Sequence, residues 1–121
     1  MNSWKPISLI QLLEFIQNGS SKLTAAEKHF FETIRVPPEK WSLSPWGDLG
    51  GGFWVVGIIG VNILWYNDIE EGFNRSSFSK FGEIGEYTCE QDEFEWSIRL
   101  MKSYVDTGNE VRKIGLSIST E

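Results

Sequence analysis

Cysteine is nearly absent from this chain: Cys89 stands alone. No internal disulfide can form, and a zinc site built on several cysteines is excluded. The sequence has no HExxH and no EF-hand spacing, so the common zinc and calcium motifs are missing too. Histidine is equally scarce. His29 is unique, so a thiol–imidazole pair would have to join it to Cys89 and would still need a third, orienting group. Ordinary settings account for both. His29 neighbours Phe30 and Phe31 in an expected helix, and Cys89 ends an expected strand, where a buried inert thiol is usual. No catalytic residue, metal or cofactor is expected.

Charge is missing over a long stretch. No side chain from Leu49 to Asn67 is ionisable as Asp, Glu, Lys or Arg. A membrane-spanning helix needs about 20 mostly apolar residues. Here Gly50, Gly51, Gly52, Gly57, Gly60 and Asn62 interrupt the stretch, and β-branched residues abound. A buried hairpin fits that composition, and no membrane association is expected. The three glycines lead into a strand with no following lysine or arginine before Arg75, so they read as flexible chain and not as a phosphate loop. Met1–Pro6 has no basic run before an apolar core, and Gln11 and Glu14 break Ile7–Ile16, so no secretory leader is expected. With a single cysteine, this points to the reducing cytoplasm.

Basic residues are what the next segment lacks. From Asp68 to Glu95 nine acidic residues face only Arg75 and Lys80, and this segment accounts for the formal net charge of −6. Such a field repels nucleic acid and anionic membrane and attracts basic partners. The six tryptophans lack the basic surroundings of a nucleic-acid stacking platform. Trp41 and Trp46, in a Pro- and Gly-rich stretch, are the rings expected at the surface.

The length of 121 residues suits one domain, residues 1–121, with a core of its own. Ser8 and Gln11 form a capping box ahead of Leu9, Ile10, Leu12, Leu13, Phe15 and Ile16, a wide apolar helical face ended by Asn18-Gly19. Thr24 and Glu27 cap a second helix that must stop before Pro37-Pro38. Trp41–Gly52 reads as a loop or short edge strand. Phe53–Ile59 and Asn62–Tyr66 read as a hairpin turning at Gly60-Val61. Neither strand alternates cleanly, which predicts cover on both faces, by helices on both or by a helix and a partner. Residues 67–82 read as a turn-rich excursion anchored by Phe73, Phe78 and Phe81, and Ile84–Thr88 as a strand. Phe94, Ile98, Met101 and Val105 recur at helical period in a third helix, about Gln91 to Asp106, stopped by Gly108. Val111–Ile118 alternates as a closing strand. The expected fold is α+β: two N-terminal helices, an antiparallel sheet with a central apolar hairpin, a further helix and a C-terminal strand.

Ordered negative charge beside aromatic rings suits an interface with a basic protein. The candidate partner-binding residues are Asp68, Glu70, Glu71, Glu83 and Glu86, with Trp65 and Tyr66 as aromatic anchors if their face is open. The run Leu64-Trp65-Tyr66-Asn67-Asp68-Ile69-Glu70-Glu71-Gly72-Phe73-Asn74, continued by Gly85-Glu86-Tyr87-Thr88-Cys89-Glu90-Gln91-Asp92-Glu93, resembles segments of small bacterial single-domain proteins. In size, acidity and cytosolic character the chain is similar to immunity proteins that neutralise secreted antibacterial toxins, including those of contact-dependent inhibition. That resemblance implies a non-enzymatic inhibitor docking a basic, nuclease-like toxin, its carboxylates mimicking phosphates. The alternative is a small enzyme or ligand-binding domain using clustered carboxylates in a pocket beside Trp54 and Trp65. A homo-oligomer that buries an apolar sheet face stays open as a third.

Overall fold

The computed structural model describes residues 5–108. Helices α1 (Leu9–Ser20) and α2 (Ala25–Ile34) precede four strands, β1 (Arg35–Trp41), β2 (Phe53–Ile59), β3 (Asn62–Asn67) and β4 (Gly72–Ser77), and helix α3 (Phe94–Thr107) follows. The fold is α+β. The strands form one antiparallel meander in chain order. No helix among the described residues is long and apolar enough to cross a membrane. The expected strand at Val111–Ile118 lies outside the described residues.

Local chemistry sets the helix ends. Both capping boxes form: the Gln11 amide donates to Ser8 Oγ and the Glu27 amide to Thr24 Oγ1, and each glutamine or glutamate reaches back to the cap amide. Gly108 ends α3 in the left-handed region, φ 81°. The apolar face of α1 is narrower than the sequence suggests. Only Leu12, Ile16 and Gly19 are buried, while Leu9, Ile10, Leu13 and Phe15 remain exposed.

All three helices pack on one face of the sheet. There Leu12, Ile16, Phe31, Ile34, Val56, Leu64, Phe73, Phe94, Ile98 and Met101 form the larger core. The opposite face carries Trp41, Phe53, Val55, Ile63 and Trp65. The sequence predicts a helix or a partner here; irregular chain covers this face instead, and Leu43, Ile69, Phe78, Ile84 and Tyr87 close it. A register shift between Val55 and Gly57 explains why β2 does not alternate. The bulge puts Val56 against the helices while Val55 and Ile58 face away. Trp41, expected at the surface, is buried; Trp46 is exposed and stacks on Tyr87, ring centroids 4.5 Å apart.

Two strands were hidden by their composition. β1 contains Pro37 and Pro38, which a sheet tolerates only at an edge or bulge, and both lie within the irregular register between Arg35 and Glu39 of an edge strand. β4 reads Gly-Phe-Asn-Arg-Ser-Ser, polar enough to pass for a loop, yet Asn74, Arg75 and Ser76 are all buried. Asn74 and Ser76 take up backbone groups of residues 86–90, while Arg75 reaches Asp92 and Ser97. The Ser76 hydroxyl donates to the Glu86 carbonyl, the Asn74 amide donates to the Glu90 carbonyl, and Asn74 Oδ1 accepts from the Glu90 amide and the Thr88 hydroxyl. Asn67 donates to the Thr88 carbonyl. For this reason Ile84–Thr88 is not a strand: side chains, not a neighbouring backbone, satisfy much of it. Consecutive amides of Ile84 and Gly85 donate to Ser42 and Ser77, joining the ends of the first and last strands across the twisted sheet. Gly72 permits the closest approach, since a Cβ there would collide with the backbone of Gln91 and Asp92.

Asn74→Ala should cost about 2–3 kcal/mol, because it strands several buried polar groups at once. Chemical denaturation would read the loss, and amide hydrogen exchange should accelerate in residues 85–92 before it does in β2 and β3. Uniform protection in the variant would show that this segment holds without Asn74.

Candidate functional site

A chain of aromatic rings runs from the core to the surface at one end of the sheet. Phe31 meets Phe94 edge-on at 4.9 Å, Phe94 meets Phe73 at 5.3 Å, Phe73 meets Tyr66 at 5.0 Å, and Tyr66 meets Phe15 at 5.6 Å. Phe15 projects from the flank of α1 and is 43% exposed. Gly19, one turn on, sits so close to Phe94 that a Cβ would come within 2.7 Å of it, which draws α1 onto the start of α3.

Two concave regions meet at Phe15, Tyr66 and Glu71. One, of ≈ 430 Å³, is bounded by Lys5, Ile7, Gln11, Phe15, Tyr66, Asp68 and Glu71. The other, of ≈ 320 Å³, continues past Gly19 and Gly72 to Asp92, Glu93 and Glu95. Five carboxylates therefore line the combined cleft, against Lys5 and Lys22. Two of the five are already engaged. Asp92 pairs with the buried Arg75 at 3.0 Å, whose guanidinium also donates to Ser97, and Glu95 pairs with Lys22 at 3.5 Å.

Asp68 is the unusual member. It is only 8% exposed. Its Oδ2 accepts the Ile7 amide at 2.8 Å, and among the described residues Oδ1 has no hydrogen-bond partner. Burial pushes its carboxyl above the ordinary aspartate value, against the opposing pull of the Ile7 amide, its own backbone and Lys40. The Tyr66 phenol is pushed up to about 12 by burial and by the negative charges of Glu71 and Asp68. It therefore stays protonated, able to donate a hydrogen bond across the physiological range. Glu71 adopts φ 62°, the left-handed region that costs a residue with a side chain about 1–2 kcal/mol.

The structure gathers Tyr66, Asp68 and Glu71 from the sequence-derived candidates and separates the rest. Trp65 is fully buried, its indole donating to Ser76 Oγ at 2.9 Å, and Tyr66 is only 6% exposed, so neither ring has the open face that anchoring a partner requires. Asp68, expected in an exposed turn, is enclosed because it holds the chain entering α1. Glu70 is half-buried and lines neither concavity; its amide caps onto Asn67 Oδ1. Glu83 lies beside Lys80 and Glu86 beside Ser77, away from the cleft. Sequence reading missed Phe15, Glu93 and Glu95. The exposure of Phe15 had no local signal, since its spacing matches that of the core residues of α1. Cys89, expected to be buried, is exposed. Among the described residues, no group of three or more His, Cys, Asp or Glu side chains is arranged to hold a metal ion. No family model, curated protein or solved structure matches the chain.

Two outcomes follow from this geometry. Glu71→Gly should stabilise the fold by about 0.5–1 kcal/mol by removing the left-handed strain, read as a rise of a few degrees in Tm. Asp68 binds its proton more tightly folded than unfolded, so its contribution to stability falls as pH rises from below the ordinary aspartate value through its raised folded value. Asp68→Asn removes that dependence. The stability of the variant relative to wild type should therefore increase across this window in denaturation series at stepped pH, and a constant difference would mean Asp68 titrates as it does in the unfolded chain.

Proposed function

We propose that this protein is a non-enzymatic cytoplasmic binding protein, an immunity-type inhibitor that docks a basic protein toxin through its acidic end. One observation carries the reading: carboxylates converge on a cleft beside the partly exposed Phe15 ring, and Glu71 and Glu93 in it are exposed. An aromatic centre with a charged rim is what protein interfaces with strong electrostatic steering display. The free protein bears the mutual repulsion of these charges, and a cationic partner relieves it. A second reading has its own support. Asp68 and Glu71 flank one concavity together with Tyr66, which suits a small cationic ligand, though not in the pocket beside Trp54 and Trp65 that the sequence suggested.

The test reverses charges outside the buried ion pairs. Glu70→Lys, Glu71→Lys and Glu93→Lys are combined, sparing the buried Asp68. The partner recovered from native lysate is then titrated with wild type and variant at about 0.1 M and 1 M salt, where the Debye length falls from about 10 Å to about 3 Å. The variant should bind more than about tenfold more weakly at low salt, with association slowed, and the gap should narrow at high salt. Equal affinity at both salts would leave the acidic end a solvated surface only.

A further inference from the structure

We propose that the exposed flank of α1 pairs with the same flank of a second copy of this chain, the two helices running antiparallel. This surface is separate from the cleft, and it stands or falls without the docking reading.

Leu9, Ile10 and Leu13 are exposed, Ile10 to 71%. At 3.6 residues per turn they share a sector of about 100° beside the buried sector of Leu12, Ile16 and Gly19. None of the three lines the concavities described above. Gln17, uncharged and exposed, falls in the same sector one turn beyond Leu13. Both faces of the sheet are already covered, by helices on one and irregular chain on the other. The apolar surface left open is therefore on this helix and not on the sheet.

Charge selects the occupant. The chain carries a formal charge of −6, so two copies repel unless they meet where carboxylates are scarce. Glu14 is the only ionisable residue of α1. Other exposed apolar side chains suit a like-charged copy less well. Leu49, Trp96 and Val105 each adjoin an acidic residue in the chain, and Phe81 stands two residues from Glu83. A basic partner would find one carboxylate on α1, whereas the cleft offers it several.

The helix dipole selects the orientation. α1 has no acidic residue in its first turn and no basic residue in its last, so side chains leave its macrodipole uncompensated. An antiparallel neighbour compensates it by setting each N-terminus against a C-terminus. A two-fold axis passing between residues 11 and 12 packs Ile10 of each copy on Leu13 of the other. The same axis brings each Glu14 to the first turn of the other α1, the positive end of that helix. The one charge on the flank is then attracted across the interface.

The test is sedimentation equilibrium of the full chain from about 10 µM to about 1 mM, since so small a face belongs at the weak end of protein interfaces. The average mass should rise from monomer toward dimer. Backbone amide shifts on dilution should concentrate in residues 9–17 and spare Trp46, Phe81 and Trp96. Ile10→Glu should weaken dimerisation at least about tenfold, and Ile10→Ser should weaken it less; the exposure of Ile10 leaves the fold intact in both. Orientation is read by cross-linking in a Cys89→Ser background. A short bismaleimide should join Leu9→Cys chains to Gln17→Cys chains, and should fail to join Gln17→Cys chains to one another. Ready linking of Gln17→Cys chains to themselves would overturn the antiparallel arrangement. A monomeric mass at every concentration, a dimer that Ile10→Glu leaves intact, or dilution shifts centred on Trp46 and Phe81 would overturn the interface. So would a monomer in which Ile10→Glu moves the resonances of residues 1–4 or 109–121, because the chain's own termini would then cover the flank.

Discussion

The fold depends on side chains hydrogen-bonding a length of backbone that has no strand beside it. Asn67, Asn74 and Ser76 hold residues 86–90, and without them polar groups of that partly buried segment would lose their partners. Helices cover one sheet face by apolar packing, which is non-directional and tolerant. The other face is covered by irregular chain, which has no internal ladder and needs a directional partner for each buried amide and carbonyl. Tyr87 and Ile84 can pack against the second core only because those partners fix the path of the chain. The same path delivers Asp92 to Arg75 and the Phe73 amide to the Asp92 carbonyl, and so positions the start of α3.

The acidic residues divide by what surrounds them. Asp92 and Glu95 neutralise cations, and Asp68 holds the Ile7 amide; these serve the fold. Glu71 and Glu93 are exposed at the cleft. A uniform negative surface would attract any cation weakly. A few open carboxylates beside a fixed, partly dehydrated one define a position, and position is what distinguishes recognition from general attraction.

Much of this was legible in the sequence, and the omissions share one cause. Periodicity and capping chemistry revealed α1, α2, α3 and the β2–β3 hairpin, because there apolar spacing and local turn residues agree. β1 and β4 escaped notice because prolines and a run of Asn, Arg and Ser argue against strands when taken one residue at a time. Their tolerance is tertiary: an edge position with a bulge in β1, and buried hydrogen-bond partners in β4. The cleft was half visible. Tyr66, Asp68 and Glu71 are neighbours in sequence, whereas Phe15 reaches them only through the packing of α1 on α3. Trp65 and Tyr66 were taken together, yet adjacent strand residues face opposite sides, and here each side is a core, so both rings are buried.

The prolines of β1 have a consequence at the level of assembly. A sheet recruits further strands through free donors and acceptors along its rims. Here one rim carries Pro37 and Pro38, which lack amide hydrogens, and the other is occupied where Phe73 and Ser77 bond to Asp92 and Gly85. Growth by strand addition is thus obstructed at both rims, which guards against edge-to-edge aggregation. Association is left to side-chain surfaces, where a few substitutions can retune the choice of partner without altering the sheet.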